Sequence, residues 1–329
     1  MATKVKKRSG RELIWTIYDP QQTKKLAADL KNALLKNKPQ AVVELLSDTR
    51  LLRSLVVRRG EGGEYLLLIE RSFQFWLSGR TNQQALIKDI KIEKLLKILG
   101  QAGISEQIFN ELAHVYFHLR NEPDFLSITK YIIDHADFFQ NQAVVARAHH
   151  DLGSWHNVHG RLAEAMSENK IALTMAREIG EPVIEAKARF GLSHSKGNVA
   201  GDRSLKVLKP SALLADFSAL ADQLDKLGVF YDAIRARIEA ARALIILARR
   251  REKQDKKDLL LTAKNLSLAA LYSAKDHEYP NAEILARENL SAIYAEVKEA
   301  RKERSYFKGA IDLRDKYKYQ GKHLILGIK

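Results

Sequence analysis

The chain has 329 residues, 46% of them hydrophobic and 29% charged, a balance that excludes disorder of the whole chain because disordered chains lack apolar residues. It has no cysteine, which excludes disulfides, thiol nucleophiles and metal centres with Cys ligands. Its formal net charge of +15 favours encounters with acidic partners, and no apolar run approaches the roughly 20 residues that cross a bilayer. We therefore expect a cytoplasmic protein without a membrane span.

The N-terminal residues are strongly basic. We predict that residues 1–20 form a flexible arm, since every charged residue before Glu12, the first acidic residue, is a lysine or an arginine. The apolar run Leu13–Tyr18 is too short for a secretion signal. The arm is either a solvated tail or a segment that binds phosphate groups or directs targeting.

Residues 21–100 are predicted to form an N-terminal helical region. The spacing of Ile92, Leu95, Leu96 and Leu99 indicates one buried helix face, and Gly100 follows where a helix would end. Residues 54–70 are ambiguous, because the glycines between two apolar stretches fit either a small β-hairpin or a helix, a loop and a helix. A hairpin here would resemble the winged helix-turn-helix of nucleic-acid readers.

Residues 101–319 show the strongest organisation, an internal repeat. Leu112, Leu152 and Leu192 occupy the same slot in three segments that are 40 residues apart. A fixed period of this size is typical of stacked helical hairpins that bury their apolar faces against one another. Residues 229–308 contain no glycine and only one proline, which predicts long helices.

At these residues the chain resembles the tetratricopeptide repeat family in a divergent form with a longer period. The clearest unit has Leu152 and Gly153 at the family's seventh and eighth positions, a turn glycine at Gly160, and small residues at Ala165 and Ala172. The resemblance implies an all-α, right-handed solenoid of helical hairpins over residues 101–319. Residues 320–329 are then a C-terminal tail that caps the last hairpin or docks on a partner.

The resemblance also implies that the first helix of each hairpin lines a concave groove for a protein or peptide. The family's carboxylate-clamp pattern is not reproduced, so the expected partner is an acidic peptide rather than a chaperone tail. Carried over by position, the groove residues are Asn110, His114, Phe117, Arg147, His150, Asn157, Lys187, Phe190 and His194.

A second candidate site is a patch of positive charge. One part lies in the N-terminal arm, and the other is predicted at the turn between the two long helices that follow residue 229. The patch residues are Lys4, Lys6, Lys7, Arg8, Arg11, Arg249, Arg250, Arg251, Lys253, Lys256 and Lys257. Such a cluster is either a solvated surface or a set of phosphate contacts.

Two functions follow from these patterns. The favoured hypothesis is a non-enzymatic scaffold or adaptor that binds a protein or peptide through the groove. The alternative is a nucleic-acid-associated regulator that uses its basic ends, and a winged element at residues 22–70 would favour it. We expect no catalytic residues, metal or cofactor, because phosphate loops, nucleophile elbows and zinc-protease motifs are missing.

Overall fold

The computed structural model of the protein describes residues 17–81, 92–119, 121–201, 210–249 and 253–317. Within these ranges it contains fifteen α-helices and no β-strand, which agrees with the predicted all-α class. The helices are α1 Pro20–Leu35, α2 Pro39–Leu46, α3 Thr49–Arg58, α4 Glu64–Thr81, α5 Ile92–Gln101, α6 Ile108–Leu119, α7 Glu122–Asp134, α8 Gln142–Val158, α9 Leu162–Glu178, α10 Pro182–Gly201, α11 Pro210–Lys226, α12 Phe230–Ala248, α13 Lys253–Asp276, α14 Pro280–Glu296 and α15 Ala300–Lys316. None of these helices combines the length and the apolar character needed to span a membrane.

Of the two alternatives for residues 54–70, the β-hairpin is wrong and the arrangement of a helix, a loop and a helix is correct. Helix α3 continues to Arg58, a short 3-10 turn covers Glu61–Gly63, and α4 begins at Glu64. The physical reason is that α3 buries the apolar side chains of residues 51, 52, 55 and 56, which share one helix face. Arg59 and Gly60 then take positive φ angles of 65° and 67°, which end the helix without forming a strand.

Several helices in the C-terminal two thirds of the chain are followed by a glycine with a left-handed backbone conformation. Gly160, Gly180 and Gly228 follow their helices with φ between 65° and 73°, in the left-handed region that glycine adopts without strain. The next residue donates its N–H to the carbonyl five residues earlier, as from Glu181 to Ala176 at 2.8 Å. This bond satisfies a carbonyl that the helix end would leave unpaired.

The helices from α6 onward contact one another in a regular order. Within this series each helix packs against its chain neighbours, and the even-numbered helices α6, α8, α10, α12 and α14 also contact one another in sequence. The N-terminal helices α1–α4 pack together, and α3 and α4 also contact α6. The five helices α6, α8, α10, α12 and α14 therefore form one continuous wall, and they are the even-numbered helices meant below.

Small residues allow α8, α9 and α10 to approach closely. A Cβ atom added to Gly153 would lie 2.4 Å from the Asn169 side chain, and one added to Gly191 would lie 2.2 Å from it. Asn169 is fully buried between the two glycines and donates to the Ala165 carbonyl at 2.8 Å. The glycine and alanine positions of the predicted repeat unit thus coincide with tight helix packing, since Ala165 is also fully buried.

The N-terminal helices also reach the last helices of the chain. Ile17 and Val57 pack against an apolar cluster that includes Tyr279, and the Arg58 guanidinium lies 5.5 Å from the centre of the Tyr279 ring. Lys316 on α15 pairs with Glu61 at 2.7 Å. The beginning and the end of the described chain are therefore in direct contact.

Candidate binding cavity

One cavity of about 620 Å³ lies against the wall of even-numbered helices. All five of these helices contribute side chains to it, and Arg59 and Arg314 join from α3's C-terminal end and from α15. Its volume falls within the approximate 300–1,000 Å³ range of sites for small ligands.

Seven of the nine predicted groove residues line this cavity. The other two, Asn110 and Arg147, are instead buried in contacts between helices. Asn110 donates to the Val144 carbonyl at 3.1 Å, and Arg147 donates to Glu111 at 2.6 Å. The seven that line the cavity are His114, Phe117, His150, Asn157, Lys187, Phe190 and His194.

A buried charge network stands at one side of the cavity. Glu111 on α6 accepts hydrogen bonds from Arg53 of α3 at 3.1 Å and from Arg147 of α8. Burial alone would raise the pKa of Glu111, but Arg147 and Arg53 lower it well below its ordinary value. Because all three side chains are buried, α3 is fixed against α6 and α8 by charge as well as by apolar packing.

The same network continues to the cavity surface. His114 bonds through Nε2 to Asp151 at 2.8 Å, and Arg147 lies 3.7 Å from the second oxygen of Asp151. Burial would raise the pKa of Asp151, but His114 and Arg147 lower it to about 2. Asp151 is therefore a carboxylate whose negative charge is already balanced.

Lys187 and Asp232 connect α10 to α12 at 2.9 Å, and both line the cavity. Burial lowers the pKa of Lys187, and Asp232 offsets part of this effect. His150 faces both groups from α8, and it bonds through Nδ1 to Asn169 at 2.9 Å. Burial lowers the pKa of His150, which keeps its imidazole neutral at pH 7.

Helix α12 contributes a charged face that the sequence interpretation missed. Its cavity residues are Asp232, Arg235, Glu239 and Arg242, at spacings of three, four and three. Arg242 lies 3.5 Å from Glu239, which lies 3.9 Å from His194. The signal was present, because charged residues at helical spacing stand out in an Ala- and Ile-rich helix.

Aromatic side chains gather where α6, α7 and α8 meet. Phe117 packs edge-on against Phe125 with ring centres 5.4 Å apart, and Trp155 lies 4.2 Å from the His159 ring. His159 also bonds to Glu122 at 2.9 Å. All five side chains line the cavity, so this end combines three aromatic rings with the polar pair of His159 and Glu122.

The cavity wall is mildly basic. Among the described residues it contains five lysines and arginines, four carboxylates and five histidines. Each carboxylate lies within 4.0 Å of a basic side chain, as Glu122 does of His159 and Asp232 of Lys187. The lining therefore has a small excess of basic over acidic side chains.

Trp155, Asn157 and Asn281 are among the lining residues with a buried polar atom that has no hydrogen-bond partner in the part of the chain that the structure describes. These atoms are the indole N–H of Trp155 and the side-chain carbonyl oxygens of Asn157 and Asn281. They are not accessible to solvent, so they lie behind the cavity surface and out of reach of a bound group.

The second candidate site, the basic patch, is only partly described. Residues 1–16 and 250–252 lie outside the described ranges. Arg249 directly follows α12 and Lys256 lies in α13, and both pair with Glu296, at 2.6 and 2.7 Å. Lys253 begins α13 and Lys257 is exposed. One carboxylate thus balances two of the predicted patch cations.

Histidines cluster on α8, yet among the described residues no group of three or more His, Asp or Glu side chains is placed to hold a metal ion. His149 pairs with Glu168 at 2.7 Å, and His150 and His159 have the partners given above. These histidines serve contacts between helices.

No protein-family model matches this chain, and no curated protein matches it either. The resemblance to tetratricopeptide repeats therefore stays an interpretation of the sequence pattern. The function must be inferred from the cavity's own residues.

Proposed function

We propose that the protein is a non-enzymatic, cytoplasmic adaptor that captures a short acidic peptide segment of a partner protein in this cavity. The observation that carries the proposal is the convergence of side chains from five helices on one mildly basic, aromatic cavity. Such a combination of apolar anchors and a few charged groups is typical of recognition sites. The bound segment must be short, because the cavity holds about 620 Å³.

We further propose that the helices from α6 onward form a right-handed, tetratricopeptide-like solenoid of hairpins. The contacts of each helix with its chain neighbours support this arrangement, as do the contacts among the even-numbered helices. In this arrangement the first helix of every hairpin faces inward, and the cavity is the part of the inner surface that α3 does not cover.

The nucleic-acid alternative has less support. The winged element that would have favoured it is absent, since residues 49–81 form α3, a 3-10 turn and α4. Glu296 also balances two cations of the basic patch. The remaining support for the alternative is the excess of basic residues near both ends of the sequence.

Partner capture with matched variants tests the proposal. The tagged full-length chain is incubated with lysate of its native cells, with and without nuclease, and captured proteins are identified by mass spectrometry. The variant Arg235→Gln, Arg242→Gln removes two cavity cations, whereas Arg237→Gln changes an arginine of the same helix that pairs with Asp225 outside the cavity. Circular dichroism verifies that all variants fold.

We expect nuclease-resistant partners with the unaltered chain and with Arg237→Gln, and their loss with the double variant. Equal capture by all three proteins would reject the cavity as the binding site. Partners that disappear on nuclease treatment, together with salt-sensitive gel shifts, would instead decide for the nucleic-acid alternative.

A further inference from the structure

The cavity has two chemically different ends, because its wall follows the order of the even-numbered helices. Contacts run from α6 to α8, α10, α12 and α14 in turn. Residues from α6, α7 and α8 therefore lie at one end, and residues from α12, α14 and α15 lie at the other.

The α6–α8 end is the apolar one. Phe117, Phe125 and Trp155 line it together with the aliphatic side chains of Val158 and Leu162. Trp155 is buried, and Val158 is 45% exposed, so the apolar surface reaches from the interior to solvent. A large apolar group of a ligand would lose its contact with water here, which favours binding.

The α12 end is the cationic one. Arg235 and Arg242 lie on one face of α12, and Arg314 reaches the same end from α15, where its Nε donates to Glu288 at 3.0 Å. Asp232 and Glu239 are the carboxylates on this face; Asp232 pairs with Lys187, and Glu239 lies within 4.0 Å of both Arg242 and His194. Guanidinium groups present donors in a planar fork, the geometry that carboxylates accept best.

The distance between the ends sets the length of the ligand. Helix α10 lies between α8 and α12, and packed helix axes are about 8–10 Å apart, so the axes of α8 and α12 lie at most roughly 16–20 Å apart. An extended chain advances about 3.3–3.6 Å per residue, so about four to six residues bridge this distance.

We propose that the cavity binds an extended peptide of about five residues, with a large apolar side chain at one end, against Phe117 and Trp155, and a carboxylate at the other, against Arg235 and Arg242. This inference rests on the proposed function and specifies its ligand. The cavity volume of about 620 Å³ accommodates a ligand of this size.

A fatty acid is the competing ligand, because it also joins an apolar group to a carboxylate.

Calorimetric titration of the full-length chain with defined peptides tests the inference. The probes are acetylated pentapeptide amides with Phe at one end, Glu at the other and Ala between, in both orders. The matched probes replace Glu by Gln or Phe by Ala, and decanoate represents the fatty acids. Protein variants are the Arg235→Gln, Arg242→Gln pair and the control Arg237→Gln.

We expect one of the two Phe–Glu peptides to bind at least tenfold more tightly than both of its matched probes. The double variant should remove the preference for Glu over Gln, and Arg237→Gln should keep it. Circular dichroism ensures that a loss of binding does not reflect unfolding.

Three outcomes would overturn the inference. Equal binding of Glu and Gln peptides would reject the cationic end while leaving peptide capture intact. Tighter binding of decanoate than of any peptide would reject the peptide and the proposed function with it. If no probe binds at millimolar concentration, the inference fails, and the capture experiment alone decides the proposed function.

Discussion

Lys24 of α1 and Glu278, between α13 and α14, form an ion pair at 2.8 Å although 254 residues separate them in the chain. The hydrogen bond to Glu278 raises the pKa of Lys24. Glu278 has a φ of 52°, in the left-handed region that Gly180 and Gly228 occupy at other helix ends. A glutamate therefore stands in a glycine conformation and joins the N-terminal helix to the late helices.

Replacing Glu278 separates the backbone effect from the ion pair. A left-handed conformation costs a non-glycine residue roughly 1–2 kcal/mol, and glycine avoids this cost. We expect Glu278→Gly to be about 1 kcal/mol more stable than Glu278→Ala in urea unfolding, since neither variant keeps the ion pair. A Glu278→Ala protein as stable as Glu278→Gly would show that this backbone conformation carries no strain.

The buried Glu111 should be essential for stability. Glu111→Gln leaves Arg53 and Arg147 buried without their shared carboxylate, and breaking a buried pair in this way costs about 3–5 kcal/mol. The control Glu122→Gln alters a half-exposed pair with His159 and should cost less than about 1 kcal/mol. Urea unfolding at pH 7 measures both, and similar losses for the two variants would contradict the importance of burial.

Stability should fall in acid in two stages, and the first involves buried histidines. Burial lowers the pKa of His194 below its ordinary value of 6.5, as it does for His150. The unfolded chain therefore binds protons before the folded one, and the free energy of unfolding falls as the pH drops below about 6.5. The charged groups that act on His194 are Glu239, Arg242 and Arg235 of α12. His194→Gln should flatten this part of the curve.

The second stage involves Asp151. Its pKa is lowered to about 2 in the folded chain, against an ordinary value of 3.8, so its contribution to stability is present above about pH 4. That contribution is lost as the pH falls from 4 to 2. Urea unfolding across this range should show a shallower slope for Asp151→Asn than for the unaltered chain. Identical slopes would show that Asp151 has no depressed pKa.

Alanine should have opposite effects at two helical glycines. At Gly153 the new Cβ would lie 2.4 Å from Asn169, so we expect Gly153→Ala to destabilise the protein by about 1–3 kcal/mol through overpacking. At Gly100 nothing lies within 4 Å of the new Cβ, so Gly100→Ala should stabilise by up to about 1 kcal/mol through helix propensity. Unfolding by urea checks both signs, and a stable Gly153→Ala would refute the close packing of α8 on α9.

Local sequence patterns predicted the helices well and their register less well. The glycine-free stretch 229–308 forms α12, α13, α14 and part of α15. Leu152 and Leu192 are both the eleventh residues of their helices, but Leu112 is the fifth residue of its helix. The 40-residue spacing of the three leucines therefore does not place them at the same position in each helix, because the lengths of the intervening helices differ.

The sequence by itself predicted that the chain is helical, and the positions carried over from the family resemblance include seven side chains of α6, α8 and α10 that line the cavity. Only the tertiary structure decided that Asn110 and Arg147 are buried in contacts between helices, and that Arg235 and Arg314 join the same cavity. The physical reason is that helix periodicity acts within a few residues. The approach of side chains 58 or more positions apart depends instead on how closely every intervening helix packs.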